Sequence, residues 1–183
     1  CSTYPWISYK SITKEMPQIN LTSISQILKS NGYRTAHFNS TDGRYLNGNQ
    51  FVQYHGFDEL MDFYSMTCNE EALVADPSTD IEIFAYPDEC MVDNFINWLD
   101  IDQESPFFSF LLTYQTHYPY SLKGKEVDYG VDGKLFNRYL NALRETDQAF
   151  GKMIQSLDER NLLDSTVIFI MGDHGEAFGE HSQ

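Results

Sequence analysis

Asp173 and His174 stand between Gly172 and Gly175, directly after the apolar run Thr166 to Met171. Flanking glycines let the backbone turn sharply, so a carboxylate and an imidazole can aim at one point above a sheet edge. That is a mixed oxygen and nitrogen ligand set suited to zinc, manganese or a related divalent cation. The same pair also reads as a helix-capping Asp beside a surface His, since two ligands alone do not make a site. His117 lies just past a second apolar run, in the aromatic and proline turn Thr116-His117-Tyr118-Pro119. It is either a ligand or donor to an anionic substrate, or a half-buried imidazole in an aromatic cluster. Arg44 follows Asn39 and Asp42 in a polar loop, where its guanidinium could fork onto a phosphate or sulfate or stay solvated. His181 ends the run Gly175-Glu-Ala-Phe-Gly-Glu-His181 and either reaches the same site or lies exposed. Glu176 and Glu180 read as solvated or capping carboxylates, and His37 and His55 as structural histidines.

These residues need elements that bring them to one edge. Leu21, Ile24, Ile27 and Leu28 recur at helical spacing, with Asn20 or Thr22 as cap and Asn31-Gly32 as the stop. Tyr33 to Phe38 reads as a strand, and residues 39–44 form a polar loop at its carboxyl end, where open α/β sheets bind ligands. Asn49 to His55 reads as a short helix stopped by Gly56, and Cys68 to Pro87 as an irregular excursion. After Pro87, Met91, Val92, Phe95, Ile96 and Leu99 line one face of a second helix. Pro106 to Thr113 is a short apolar run suited to a strand buried on both faces. Leu135, Tyr139, Leu143, Phe150, Ile154 and Leu157 trace a long amphipathic helix, and Thr166 to Met171 a last strand. Alternating helix and strand predicts an α/β fold whose largely parallel sheet carries helices on its faces.

Composition narrows the function classes. The 183 residues carry 12 Lys and Arg against 27 Asp and Glu, a formal net charge of −15. Such a chain repels a duplex or an anionic lipid surface, because neutralising phosphates needs clustered bases. At 42% hydrophobic and 21% charged residues it is globular in composition. No apolar stretch approaches the roughly 20 residues that span a bilayer. Cys1, Cys68 and Cys90 form no C-x-x-C pair. A Cys68–Cys90 bridge fits an oxidising compartment, although buried or idle thiols are the plainer expectation. The start, Cys-Ser-Thr-Tyr-Pro-Trp, carries no initiator Met and no intact secretory signal, so the chain is expected to begin partway through something larger.

Phe169-Ile-Met-Gly-Asp-His-Gly-Glu-Ala-Phe-Gly-Glu-His181 resembles the carboxyl-terminal metal motif of the sulfatase family within the alkaline phosphatase superfamily. The order of other pieces fits as well: Ile24 to Ala36, His55-Gly-Phe-Asp58, Thr116-His-Tyr-Pro119 and Tyr139 to Asp147. The resemblance covers nearly the whole chain. It implies a three-layer αβα sandwich, alkaline phosphatase-like and incomplete at both ends, with residues 1–183 as the central portion of one catalytic domain. It further implies a divalent metal ion (Mn, Zn, Ca or Mg) held by Asp173 and His174. His117 and His181 would contact the substrate, a small-molecule, glycan-linked or lipid-linked sulfate or phosphate ester, and Arg44 joins them as a candidate by its place in the loop after the first strand. The family's nucleophile and its first acidic ligand precede the region that begins here, and Cys1 lacks the pattern of a formylglycine site. The fragment alone is therefore expected to be inactive. The parent would stand outside the cytoplasm or be anchored to a membrane, by resemblance. Gly175-Glu176 leans towards metal-dependent hydrolysis of sulfuric or phosphoric esters. The alternatives are a phosphoglycerol or phosphoethanolamine transferase of the lipoteichoic acid synthase type, and a non-catalytic module that retains the fold.

Overall fold

A computed structural model describes residues 11–69, 71–73 and 83–179. After a single turn, α1 (Ile12–Glu15), the chain forms α2 (Ile24–Ser30), β1 (Arg34–Asn39), α3 (Gly48–Tyr54) and β2 (Glu59–Met61). α4 (Asp88–Ile101), β3 (Phe107–Leu112) and the 26-residue α5 (Lys134–Glu159) follow. The three strands form one sheet in the order β2-β1-β3, both pairings parallel, with Arg34 opposite Phe107 and Asn39 opposite Leu112. Every strand therefore ends at the same edge, and the loops after Asn39, Met61 and Leu112 share it. β2, three residues long, has too few residues to show an alternating pattern in the sequence.

Side chains alternate across the sheet. Ala36 and Phe38 face α4 and α5, where Met91, Phe95, Trp98, Leu99, Ala149, Met153 and Leu157 complete a buried core. Phe38 lies 5.7 Å from Phe95 and 5.9 Å from Trp98, both edge to face. On the other face, His37 stacks on Phe110 at 5.4 Å and meets the edge of Phe57 at 5.5 Å. The Thr35 hydroxyl donates to the Gly56 carbonyl at 2.9 Å and the Asp58 carboxylate at 3.0 Å. Gly56 has φ +99°, and a Cβ there would stand 2.7 Å from the Gln26 amide nitrogen, so only glycine lets this segment close on α2.

Several elements depart from their sequence pattern. The cap of α2 is Ser23, whose hydroxyl accepts from the Gln26 amide while the Gln26 side chain accepts from the Ser23 amide. This reciprocal box outcompetes Asn20 and Thr22 as cap. Ile24 and Ile27 of α2 are exposed, because the buried side of the helix carries Ser23 and Ser25, whose hydroxyls donate to the His55 carbonyl. The buried stripe of α5 runs through Ala142, Thr146, Ala149, Met153 and Leu157, leaving Leu135 and Leu143 exposed. Its small residues let α5 pack close against α4. Thr166 to Met171 enters no ladder among the described residues: Ile168 packs on the core while Phe169 is 87% exposed. Without a neighbouring strand the segment leaves Val167, Phe169, Ile170 and Met171 exposed. Cys68 and Cys90 form a disulfide where idle thiols were the plainer expectation, tying the irregular excursion to α4 with Cα atoms 5.7 Å apart. Among the described residues, no helix is long and apolar enough to cross a membrane.

Candidate functional site

The loop after β1 is built around carboxylates. The Asn39 side-chain oxygen accepts from the Thr41 amide at 2.9 Å, and buried Asp62 accepts from the Gly43 amide and the Asn49 side chain at 3.2 and 2.9 Å. Arg44 donates through Nε and Nη2 to the two Asp42 carboxylate oxygens, each at 2.8 Å, and lies 3.8 Å over the Tyr64 ring. This pairing holds the Asp42 carboxyl below the usual carboxylate range and raises the Arg44 guanidinium. The fork of Arg44 thus faces Asp42 rather than open solvent.

The loop after β3 carries His117. Its amide donates to the Tyr114 carbonyl at 2.7 Å, the Tyr120 amide donates back to the His117 carbonyl at 2.8 Å, and a cis Tyr118–Pro119 bond lies between. The imidazole stacks on Tyr114 at 5.2 Å. Its Nδ1 stands 2.6 Å from the Tyr118 carbonyl oxygen. A carbonyl only accepts, so Nδ1 carries the proton and Nε2 is the nitrogen left for other chemistry.

Asp173 and His174 lie on the exposed segment after Met171, their side chains 80% and 68% exposed. The His174 amide donates to Asp173 Oδ1 at 3.0 Å. His174 Nδ1 donates to the Gly175 carbonyl at 2.8 Å, so in the neutral ring Nε2 carries the lone pair, 3.6 Å from Asp173 Oδ2. Two ligands about 2.1 Å from one tetrahedral ion stand roughly 3.4 Å apart. The pair therefore fits two positions around a divalent cation, with the backbone carbonyl orienting the ring as metal-binding histidines require. The hydrogen bond to Gly175, then Asp173 and Glu176, raise the His174 imidazole above its ordinary value. Among the described residues no group of three or more His, Cys, Asp or Glu could hold a metal.

One of the three aromatic contacts of Phe178 joins the two parts of the site, and the other two hold it on α5. Phe178 packs 5.0 Å from Phe136, 5.1 Å from Tyr139 and 5.9 Å from Tyr120, which is buried at the end of the His117 turn. Burial, and then a hydrogen bond to Glu176, raise the Tyr120 hydroxyl. The structure thus brings the Asp173–His174 segment onto the His117 turn and places Arg44 on the same sheet edge. His181 lies outside the described residues. His37 and His55 are structural, as expected: His37 is buried in the sheet, and the His55 ring nitrogens face the Phe51 and Ile19 carbonyls. Tyr120, Gln115 and Asp88 carry no motif of their own. Phe178 is the one large apolar residue of the run Gly175-Glu-Ala-Phe-Gly-Glu-His181, and that is the one sequence signal of an anchor.

The chain matches the family described as Sulfatase over residues 4–183. Lipoteichoic acid synthase 2 of Bacillus subtilis is 23% identical over 176 residues, covering 94% of this chain and 26% of the relative. Lipoteichoic acid synthase of Staphylococcus aureus is 26% identical over 153 residues, covering 78% of this chain and 21% of the relative. The chain spans about a quarter of the length of these curated relatives, which are lipoteichoic acid synthases rather than the sulfuric ester hydrolases towards which Gly175-Glu176 leans. Among solved structures, the lipoteichoic acid synthase LtaP from Listeria monocytogenes superposes with TM-score 0.70 at 20% identity, covering 84% of this chain and 37% of that one. A protein in the alkaline phosphatase superfamily from Vibrio parahaemolyticus gives TM-score 0.60 at 20% identity, covering 78% and 33%. Both carry the alkaline phosphatase-like α/β fold expected from the sequence.

Proposed function

The chain belongs to the sulfatase family, and from that membership we propose that it is the central portion of a metal-dependent transferase domain. The reaction is transfer of a phosphoglycerol or phosphoethanolamine group from a lipid donor to a glycan or lipid acceptor. The observation that carries this reading over ester hydrolysis is the match to a lipoteichoic acid synthase along 94% of the chain.

In this reading Asp173 and His174 Nε2 hold a divalent cation, completed by ligands from outside the described residues. Such a cation neutralises charge on the transferring group and lowers the pKa of a nucleophile. His117, its Nδ1–H given to the Tyr118 carbonyl, uses Nε2, once protonated, to donate to a non-bridging or leaving oxygen. Arg44 serves the anion by exchanging the Asp42 carboxylate for it, and His181 approaches the same group. The nucleophile and first acidic ligand come from sequence outside this chain. The Cys68–Cys90 disulfide supports an oxidising, extracytoplasmic setting.

The test uses the full-length protein, a glycerophospholipid with a phosphoglycerol headgroup, a glycolipid acceptor and Mn²⁺. Mass spectrometry should find the acceptor heavier by one phosphoglycerol unit. Turnover of p-nitrophenyl sulfate with no acceptor modification would overturn the reading.

A further inference from the structure

Asp88 is a fully buried carboxylate at the first residue of α4, outside every role assigned above. Four donors converge on it. Oδ1 accepts from the Ser40 hydroxyl at 2.9 Å and the Tyr114 amide at 2.8 Å. Oδ2 accepts from the Thr146 hydroxyl at 2.8 Å and the Gln115 amide at 3.4 Å. Ser40 follows β1, Tyr114 and Gln115 follow β3, and Thr146 lies on α5, so one side chain ties both strand ends to both core helices.

The Asp88 amide donates in turn to Gln115 Oε1 at 2.9 Å. The buried Gln115 side-chain amide donates onward to the Ser121 carbonyl at 3.3 Å and to Glu145 at 2.6 Å. Glu145 accepts from the Lys123 and Gly124 amides at 2.8 and 2.9 Å. Both ends of the turn that holds His117 are thus fastened to one hydrogen-bonded chain that starts at Asp88. A buried carboxylate whose two oxygens are both satisfied holds its donors in a single geometry, and removing it leaves costly unpaired groups.

We propose that Asp88 is a positioning residue for His117, fixing the turn after β3 relative to the loop after β1. Its effect on turnover rests on the reading of His117 as a substrate-facing group, whereas its hold on the turn does not.

The experiment pairs amide hydrogen exchange with a double-mutant cycle in the full-length protein. Asp88→Asn keeps the side-chain volume but sets an NH₂ donor against donors it formerly accepted from. Exchange at Tyr114 and Gln115 should quicken at least tenfold while Phe108 to Leu111 in β3 stay unchanged. Transfer should slow about tenfold, and Asp88→Asn with His117→Ala should be no slower than His117→Ala alone. Slowing that multiplies in the double variant would overturn the proposal. Should Asp88→Asn fail to fold, the wild-type protein decides: Tyr114 and Gln115 amides as slow as those of β3 support the pin, and loop-like exchange overturns it. Should His117→Ala transfer at the wild-type rate, the functional reading of His117 fails, and the exchange comparison alone then supports or overturns the hold of Asp88 on the turn.

Discussion

The ring of Phe178 packs 5.9 Å from the ring of Tyr120, and through this contact the segment bearing Asp173 and His174 is docked on the turn bearing His117. Neither pair partner is a ligand. Their contact nonetheless converts two exposed loops into one surface, because Tyr120 is buried and also bonded through its carbonyl to Arg138 Nε at 2.9 Å.

Removing the Phe178 ring should therefore loosen Asp173 and His174, the pair proposed to hold the cation. Phe178→Ala in the full-length protein is expected to weaken Mn²⁺ binding about tenfold, at the lower end of what outer-shell changes cost. Isothermal titration reads this directly, with Asp173→Asn and His174→Ala as the binding-deficient references. Unchanged affinity in Phe178→Ala would show that the aromatic dock does not orient the ligands.

Stability should fall in mild acid through His37. Burial in the sheet lowers its imidazole from 6.5 to about 4, with Asp62 opposing. Between those values the unfolded chain binds a proton that the folded chain does not, so stability is full above pH 6.5 and declines as pH falls towards 4. From pH 7 to 4.5 the loss from this group is about 2–3 kcal/mol. Urea unfolding of wild type should show that much more loss over the interval than His37→Leu, and equal losses would remove His37 as the cause.

The Cys68–Cys90 disulfide predicts the thiol count. Denatured, unreduced protein comprising these 183 residues should give one thiol, from Cys1, rather than three. The sequence separation is 22, and closing such a loop contributes about 3 kcal/mol through the unfolded state. Reduction should lower the unfolding free energy by that order, and three reactive thiols in the unreduced protein would contradict the bridge.

Much of the architecture was legible because local chemistry and tertiary packing agree. The apolar stripe after Pro87 became α4, and the run after Pro106 became β3 beside β1, although Phe110 and Leu112 are exposed where burial on both faces was expected. Where they disagreed, the pattern misled. Leu135 and Leu143 fit a helical stripe, yet packing selected Ala142 and Ala149 on the neighbouring face. Ile24 and Ile27 fit a buried face, yet Ser23 and Ser25 took it by hydrogen-bonding to the His55 carbonyl. The chemistry-bearing residues Asp173, His174 and His117 stood out because each follows an apolar run at a turn. Asp88 did not, since an acid in the first turn of a helix reads as a dipole-facing surface group. Its burial arises from Ser40, Tyr114 and Thr146, which are 48, 26 and 58 residues away.

We propose group transfer at a cation held by Asp173 and His174. The most direct measurement follows the fate of a labelled phosphoglycerol headgroup in the full-length protein, comparing wild type with His174→Ala and with wild type in EDTA. Label should move to the glycolipid acceptor in the wild type with Mn²⁺, and transfer should drop at least a hundredfold in the other two. Label released as free glycerol phosphate with no acceptor product, or transfer undiminished in His174→Ala, would contradict the proposal.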